Sequence, residues 1–376
     1  MDLVLKGGRV IDPAQGLDAI CDIGFTDGKV AEIGTNLRGD RIRDVSGHLV
    51  TAGLIDLHTH VYWGGTSLGI DAEDFCRRCG VTTAVDTGSA GPGNFAGFRT
   101  HVIAPSAVRI LAYLHVSFAG IYGFDRDIAV GESEDLRLMA PRQAAQVAEA
   151  NRDVIIGIKV RLGRHASGDQ GMAPLAYAME VAEETGLPLM AHIDDPPPGY
   201  GELVAAMRPG DVLTHCFRPF PNAPCTGQGV IRPEVIEARQ RGVIFDVGHG
   251  MGSFAFKTAR TMLAQGFLPD TISSDVHQLC IEGPAYDQCV TLSKFLSLGM
   301  PLIDVIAAST QAPAAAVRRP ELGTLAPDTP GDATVLRLEE GRFSYEDVVG
   351  EVLEGQWRLS SAGVVIGGAW WWPDGA

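Results

Sequence analysis

The sequence has few basic residues for its length, and it lacks long apolar runs. Its 376 residues include 30 Lys and Arg against 46 Asp and Glu, a net charge of −16 with neutral histidines. Nucleic acids and anionic membranes attract clustered basic charge, so this balance argues against either as a partner. No apolar run reaches the roughly 18 residues of a membrane-spanning helix. The opening residues MDLVLKGGRVIDP lack the basic and apolar regions of a secretory signal, so we expect a cytoplasmic protein.

Cysteine is also scarce, and no disulfide framework is indicated. The chain has seven cysteines, and an odd count in a chain of this size is typical of reduced intracellular thiols. Cys76 and Cys79 form a CxxC motif in a segment that predicts a helix, and no second pair completes a zinc cluster. We therefore expect these two thiols to be structural.

Both ends of the chain are predicted to be β-rich. In DIGFTDGKVAEIG, Asp27-Gly28 predicts a hairpin turn between two short strands. DATVLRLEEGRF and VVGEVLEGQWRL have the same character near the other end. Neither end is long enough to bury a substantial core alone. We therefore predict that residues 1–50 and 320–376 pair into one small β-sandwich domain beside a larger domain of residues 51–319.

The larger domain shows eight short apolar runs, most of them separated by helix-like segments. These runs are GLIDLHTH, VTTAVDTGS, VRILAYLHV, VIIGIKVRL, LPLMAHID, DVLTHCF, GVIFDVGHG and TISSDVH. Apolar strands that alternate with helices are typical of a parallel sheet covered on its outer face. The pattern predicts an α/β fold, a (β/α)8 TIM barrel. A doubly wound sheet is the alternative, but the GxGxxG turn that it should carry after its first strand is absent.

Two histidines end the first of these runs. Residues i and i+2 of a strand point to the same side, so His58 and His60 aim both imidazoles at one place, as shared metal ligands do. Ionisable side chains also end most of the other runs; they are Asp86, His115, Lys159, His192, His215, His249 and Asp275. The C-terminal ends of barrel strands share one face, so we expect convergence there. The alternative for each is a hydrogen-bonded core residue, which we favour for His115 and His249.

Lys159 lies inside IIGIKVRL, whose neighbours predict a strand buried on both faces. Removing an unpaired ammonium from water is costly, so a buried lysine lowers its pKa and loses the charge. A neutral amine can take up CO₂ to become a carbamate, an anion able to bridge two metal ions. The alternative is a lysine that pairs with an acidic neighbour on the barrel rim.

The combined motifs resemble the amidohydrolase superfamily, in particular its members with a binuclear metal centre. The resemblance rests on DLHTH, on the lysine of the fourth strand, on HID and THC, and on SSDVH. The pieces KVR, HCF and GHGMGSF are similar to the dihydroorotase-like branch. The flanking KGGRVIDP and ELGTLAPDTPGDATVL are similar to the sandwich strands and joints of that family, so nearly the whole chain is covered.

The resemblance implies a set of metal ligands and a reaction. His58, His60 and Asp275 would hold one divalent ion, His192 and His215 a second, and carboxylated Lys159 would bridge the two. Zinc suits such imidazole and carboxylate ligands. A hydroxide that bridges the ions would attack an amide or ester carbonyl, with Asp275 as general acid and base.

For the substrate, the branch implies deacylation of small α-acyl carboxylates, either N-acetyl amino acids or acetylated α-hydroxy acids. Arg161 shares the inward direction of Lys159, so it is predicted to bind the substrate carboxylate or to pair with Asp194. His249 would donate a hydrogen bond to the substrate or support a loop. His277, on the Asp275 side of its run, is a candidate supporting residue near the substrate.

Tyr62 distinguishes this chain from the dihydroorotases that it resembles. Those proteins carry an arginine two places after the second histidine of the motif, and this chain has Tyr62 there. With Trp63 and Phe217, Tyr62 would line an apolar wall for the substrate or pack beneath the loops. A cyclic amide hydrolase of the dihydroorotase or hydantoinase kind is the alternative function. A non-catalytic binding protein on the same fold is the other alternative.

The sequence ends with a tryptophan cluster, Trp370, Trp371 and Trp372. Exposed aromatic clusters mark interfaces, so we expect a homo-oligomer in which this cluster contacts another subunit. The alternative is that the three rings cover the terminal β-domain.

Overall fold

Two β-sheets organise residues 1–371, the part of the chain that the computed structural model describes. The strands are β1 Leu3–Asp12, β2 Leu17–Thr26, β3 Lys29–Gly34, β4 Arg41–Asp44, β5 Leu49–Ala52, β6 Leu54–Thr59, β7 Val81–Thr87, β8 Arg109–His115, β9 Ile155–Leu162, β10 Leu189–Ile193, β11 Val212–Leu213, β12 Ile244–Phe245, β13 Ala333–Glu346, β14 Val352–Ile366 and β15 Ala369–Trp370. The helices are α1 Ala72–Cys79, α2 Phe95–Phe98, α3 Pro141–Ala150, α4 Arg164–Ser167, α5 Ala173–Thr185, α6 Tyr200–Ala206, α7 Pro233–Arg241, α8 Phe256–Leu263, α9 Gln288–Ser297, α10 Leu302–Ala307 and α11 Gln311–Ala316.

Strands from both ends of the chain share the first sheet. Its order is β15-β14-β13-β5-β1-β2-β3, and β4 also pairs with β1. β13 runs antiparallel to β5, with Val335 opposite Val50, and this pairing joins the two ends. The predicted hairpin is confirmed, because β2 and β3 flank Asp27 and Gly28, whose φ angles of 51° and 78° suit a tight turn. The two-layered sandwich and the domain boundaries stay predictions.

The tryptophan cluster contacts its own chain where the structure describes it. Trp370 packs against the core of the first sheet, and its ring centroid lies 5.3 Å from the guanidinium carbon of Arg43. The ring of Trp371 lies 4.5 Å from the guanidinium carbon of Arg77. These contacts agree with the covering role that the sequence left open. Trp372 lies outside the described residues, and the predicted subunit contact stays a prediction.

The second sheet is parallel and follows the order of the chain from β6 to β12. Seven of the eight predicted runs form its strands, because each contains a block of buried apolar residues. Chain-ordered pairing differs from a doubly wound sheet, whose strand order reverses. β9 is buried at all eight positions, Lys159 included.

The eighth predicted run, TISSDVH, contributes two single bridges rather than a continuous strand. Thr271 forms a parallel bridge with Asp246, just after β12, and Val276 forms one with Thr59 at the end of β6. The segment from residue 271 to residue 276 therefore contacts both edges of the parallel sheet. This contact brings Asp275 close to the two histidines of β6.

Helices connect the strands at the places that the sequence predicts. α1 begins after Asp71, whose carboxylate accepts hydrogen bonds from the backbone of Glu73 and Asp74, and it ends at Gly80 with φ 78°. α7 has Pro233 at its first position and Gly242 at its C-terminal cap, a combination that favours these two ends. None of the helices in residues 1–371 has the length and apolar composition needed to cross a membrane.

Candidate metal centre

The six predicted ligand side chains line one cavity, whose volume is about 830 Å³. They come from different elements: His58 and His60 from the end of β6, Lys159 from β9, His192 from β10, His215 from the loop after β11, and Asp275 from the segment that follows residue 271. All six are at least nine-tenths buried. Parallel strands bring their carboxyl ends to one edge, and this explains the convergence.

His58, His60 and Asp275 form a compact group that can hold a metal ion. The Nε2 atoms of His58 and His60 lie 3.1 Å and 3.2 Å from Oδ1 of Asp275, and one ligand atom from each residue falls within 4.8 Å of the others. Burial lowers the pKa of His60 to about 3 and that of His58 well below its usual value. Both imidazoles are therefore neutral at pH 7, the state in which histidine binds metals.

His192 and His215 form the second group. Nδ1 of His192 lies 2.6 Å from Nε2 of His215, and the ring centroids of His58 and His215 are 5.2 Å apart. Nδ1 of His215 is 2.7 Å from the carbonyl oxygen of Gly248, which leaves Nε2 as the metal-binding nitrogen. Burial lowers the pKa of both histidines well below the usual value.

Lys159 is fully buried, and its Nζ has no hydrogen-bond partner among the described residues. Burial lowers its pKa to about 7, although the carboxylate of Asp275 acts in the opposite direction. A buried polar atom without a partner is rare and costly, so this amine needs a group that the protein chain does not supply. The His58, His60 and Asp275 group and the His192 and His215 pair, beside such an amine, fit a metal centre.

Hydroxyl groups contact the Nδ1 atoms of His58 and His60, and these contacts were not predicted from the sequence. Nδ1 of His58 lies 2.8 Å from Oγ1 of Thr214, which donates a 2.8 Å hydrogen bond to buried Asp246. Nδ1 of His60 lies 2.9 Å from Oγ of Ser89. Such contacts fix the ring orientation and the tautomer of metal-binding histidines. Their signal was available, since Thr214 directly precedes His215 and Asp246 lies in a buried strand run.

Two of the candidate ligands have backbone conformations that are unusual outside glycine. His215 has φ 69° and Asp275 has φ 48°. Non-glycine residues in this region are strained, and such strain is frequent at functional sites. Glycine makes room beside them, because a Cβ on Gly250 would lie 2.2 Å from Oδ2 of Asp275. The glycines of GHGMGSF therefore allow the loop to approach the acid closely.

Gly250→Ala should displace the Asp275 carboxylate and lower kcat by about 100-fold, the cost of misplacing a catalytic group by about 1 Å. The same loop offers a control, because no atom lies within 4 Å of a Cβ built on Gly252. Gly252→Ala should retain activity within about twofold. Steady-state kinetics on both variants tests this, and equal activities would show that the close approach has no catalytic importance.

Arg161 lines the cavity, but its partner is Glu132 rather than Asp194. Its Nη1 lies 3.1 Å and 3.3 Å from the two carboxylate oxygens of Glu132. Oε1 of Glu132 is also 3.3 Å from Nε2 of buried His115. Burial raises the pKa of Glu132, but Arg161 and His115 outweigh it and hold the value below normal. Glu132 lies in a long segment without strand or helix periodicity, so the sequence carries no signal for this contact.

Asp194, the partner that the sequence suggested, accepts backbone hydrogen bonds of 3.1 Å from His165 and Ala166 at the start of a short helix. Arg218 is a second cavity-lining arginine that the sequence analysis missed, and it pairs with Asp195 at 3.0 Å. His277 lines the cavity as expected for a residue near the substrate, with its ring centroid 5.9 Å from that of His60. Burial lowers the pKa of His277 to about 4.

Tyr62 and His249 are not among the described residues that line the cavity. The hydroxyl of Tyr62 donates to the carbonyl of Asn94 at 3.2 Å, and its ring packs 4.6 Å from that of Phe98. His249 is fully buried, with Nε2 2.7 Å from Nζ of Lys294. Both placements favour the packing and loop-supporting roles that the sequence left open.

The other two residues predicted for the apolar wall, Trp63 and Phe217, do not lie together: one is at the surface and the other is in the core. Trp63 is largely exposed, and Phe217 is fully buried in the core. Phe124, Phe220 and Met251 line the cavity instead. The apolar wall that the structure shows is therefore built from loop residues that the sequence analysis did not select.

Comparison with known proteins identifies the family. A deacetylase of Agrobacterium fabrum is 34% identical over 335 residues, which cover 87% of this chain and 80% of the deacetylase. A crystal structure of a dihydroorotase matches with a TM-score of 0.90 at 31% identity, over 98% of both chains. The chain belongs to the dihydroorotase-like branch of the amidohydrolase superfamily. A crystal structure of an adenine deaminase also matches this amidohydrolase, with a TM-score of 0.91 and 28% identity over 99% of this chain and 100% of the other.

No protein-family model matches this amidohydrolase. The resemblance read from its motifs is nonetheless confirmed, and so is the prediction that it is a hydrolase of this superfamily. The α/β fold with a parallel sheet and a β-rich part is that of its structural neighbours. The His-His-Asp group fits the metal dependence that was predicted for this hydrolase.

Proposed function

We propose that this amidohydrolase removes the acyl group from small α-acyl carboxylates, either N-acetyl amino acids or acetylated α-hydroxy acids. The observation that carries the proposal is the convergence on one cavity of two neutral histidine pairs, a buried carboxylate and a lysine that has no partner in the described part of the chain. The deacetylase of Agrobacterium fabrum, which shares a third of the sequence, supports removal of an acetyl group.

The residues fit two divalent ions, and zinc is the proposed occupant. His58, His60 and Asp275 would hold one ion, and His192 and His215 the other. Two such ions would supply an activated water molecule and would polarise the carbonyl of the scissile bond.

Lys159 is proposed to bridge the two ions as a carbamate. The amine with a pKa of about 7 is substantially neutral near physiological pH, so its nitrogen can form a bond to CO₂. The nitrogen then releases one proton to solvent, and the product carries one negative charge on two oxygens. This anion would give the buried side chain the partners that its amine lacks.

Asp275 is proposed to transfer the proton of the reaction. It lines the cavity beside His58 and His60, and burial raises its pKa to about 6. A carboxylate with such a pKa can accept a proton from the attacking water and then deliver it to the leaving nitrogen or oxygen. Its strained backbone and the closely packed Gly250 hold it in a fixed place.

A panel of substrates tests the proposed function. Zinc-loaded protein should hydrolyse N-acetyl amino acids of one configuration, or acetylated α-hydroxy acids, far faster than dihydroorotate or hydantoins. Preference for the cyclic amides would favour the alternative function. Absence of any turnover in protein with two bound ions would favour the binding protein.

Arg161 is proposed to bind the substrate carboxylate, since it is held against the cavity by Glu132 and the ring of Phe124. Arg161→Met should raise KM for an α-acetoxy carboxylate by about 10- to 100-fold, the worth of one charged hydrogen bond. The KM for the matching uncharged methyl ester should change little. Arg164 is exposed at the cavity rim and pairs with Asp169. The control variant Arg164→Met should leave the KM for the acid and for the ester nearly unchanged. Equal effects of Arg161→Met on acid and ester would refute the carboxylate contact.

The finer architecture is also proposed. Residues 271–276 would complete an eight-stranded barrel, and the bridges to Asp246 and Thr59 on the two sheet edges support this. The sheet shared by the chain ends would form a small sandwich beside it, as the common core of β1, β5, β13 and β14 suggests.

A further inference from the structure

Lys294 is a buried lysine that the proposed reaction does not use. It lies on α9, is fully buried, and places Nζ 2.7 Å from three acceptors. These are Nε2 of His249, the carbonyl oxygen of Pro284 and the carbonyl oxygen of Glu346. Glu346 ends β13, so this amine connects the sheet of the chain ends to the loop after β12.

His249 has only one tautomer that satisfies both of its contacts. Nδ1 faces the carbonyl oxygen of Gly250, which can only accept a hydrogen bond, so Nδ1 carries the proton and Nε2 accepts from Nζ of Lys294. Nδ1 then donates to the carbonyl oxygen of Gly250 at 2.9 Å. The ring stacks on Phe254 with centroids 4.8 Å apart, which leaves it no freedom to turn toward the cavity.

Gly250 transmits this arrangement to Asp275. Its amide donates to the carbonyl of Ser274 at 2.9 Å, and its Cα approaches the Asp275 carboxylate so closely that a Cβ would overlap Oδ2. The amide of His249 likewise donates to the carbonyl of Ser273 at 3.2 Å. The loop is therefore bound along the segment that bears the acid.

We propose that Lys294 and His249 are positioning residues that hold the Gly250 backbone against Asp275 and so fix the place of its carboxylate. The proposal rests on the proposed function for its kinetic readout. A position with only a packing role would be filled at lower cost by an apolar side chain, because a buried amine must regain the hydrogen bonds that it made to water. Here all three donors are used, and one of them is directed through His249 to the loop beside the acid.

Two variants separate positioning from packing. Lys294→Met keeps the bulk and removes the donors, and His249→Phe keeps the ring on Phe254 and removes both nitrogens. Each should lower kcat by about 10- to 100-fold with KM unchanged within about threefold, because the substrate carboxylate is bound elsewhere. Lys29→Met, which changes an exposed lysine of β3, should leave both constants unchanged. An unchanged kcat in a folded Lys294→Met or His249→Phe variant would overturn the proposal, and so would a rise in KM alone.

Coupling provides the second readout. If Lys294 and His249 both act through Gly250, the double variant Lys294→Met with His249→Phe should have a kcat/KM no lower than that of the slower single variant. The double variant Lys294→Met with Arg161→Met should instead lower kcat/KM by the product of the two single effects. If the double variant lowered kcat/KM by the product of the two single effects, Lys294 and His249 would not act through the same backbone contact. If Lys294→Met fails to fold, the kcat and KM of His249→Phe alone decide the proposal.

Zinc release distinguishes this inference from the proposed function. Zinc-loaded Lys294→Met and His249→Phe should lose zinc to excess chelator about 10-fold faster than the wild-type protein, because a displaced Asp275 is a weaker ligand. Faster release in a protein that hydrolyses none of the substrates would keep the positioning role and refute the function. If both variants hydrolyse the substrates with unchanged kcat and release zinc at the wild-type rate, the positioning role is refuted and the proposed function is kept.

Discussion

Lys159→Ala should lower kcat/KM by at least about a thousandfold and remove most of the bound metal, because a ligand shared by both ions would be lost. The side chain is fully buried, and Nζ has no hydrogen-bond partner within residues 1–371, so the variant breaks no ion pair there. Metal content per chain and steady-state kinetics measure the two effects. Lys29→Ala, which changes an exposed lysine of β3, should retain both.

The same variant tests whether the bridging group is an anion. Truncation to alanine leaves room at the former position of the side chain, and a short carboxylic acid such as propionate can supply two oxygens there. Propionate should restore part of the metal binding and activity of Lys159→Ala, and uncharged propionamide should restore neither. Normal metal content and turnover in Lys159→Ala would refute the bridging role.

Asp275→Asn should lower kcat by at least about a thousandfold. Asparagine has the shape of aspartate, but it can act neither as a general base nor as a charged metal ligand. The carboxylate must be ionised to accept a proton, so wild-type activity should fall as the pH drops below the pKa of Asp275. Asparagine does not titrate, and the residual activity of the variant should lose this acidic limb. The pH dependence of kcat measures the difference.

Asp195 offers the matched control for this substitution. It lines the same cavity, pairs with Arg218 and is half exposed. Asp195→Asn should change kcat by less than about fivefold, since it removes a charge from the rim and no predicted ligand. If Asp275→Asn and Asp195→Asn had similar activities, Asp275 would not be the group that transfers the proton.

The sequence predicted most of the strands, and it selected six side chains that line the cavity, because these signals are local. Seven apolar runs became the strands β6 to β12, and the side chains at their ends meet because parallel strands share a carboxyl edge. TISSDVH carries Asp275 but forms only single bridges, and the backbone amide of Ser274 donates to the carboxylate of Asp56 instead of to a neighbouring strand. Strand alternation predicted the inward direction of Arg161 correctly.

The contacts that the sequence did not reveal depend on long loops. Glu132 reaches Arg161 across a chain separation of 29 residues from a segment with no periodicity. Tyr62 follows the end of β6, where strand alternation no longer indicates direction, and it turns to the core beside Phe98. Lys294 is the one charged residue in the sequence of α9, and only the folded chain shows that it contacts His249.

A crystal structure grown with zinc and bicarbonate tests the central claim most directly. Anomalous scattering at the zinc edge should show two ions, with ligand atoms of His58, His60, His192, His215 and Asp275 at about 2.0–2.2 Å. Density for a carbamate should extend from Nζ of Lys159 to both ions. A single ion, a free lysine amine between two ions, or side chains that coordinate nothing would contradict the account.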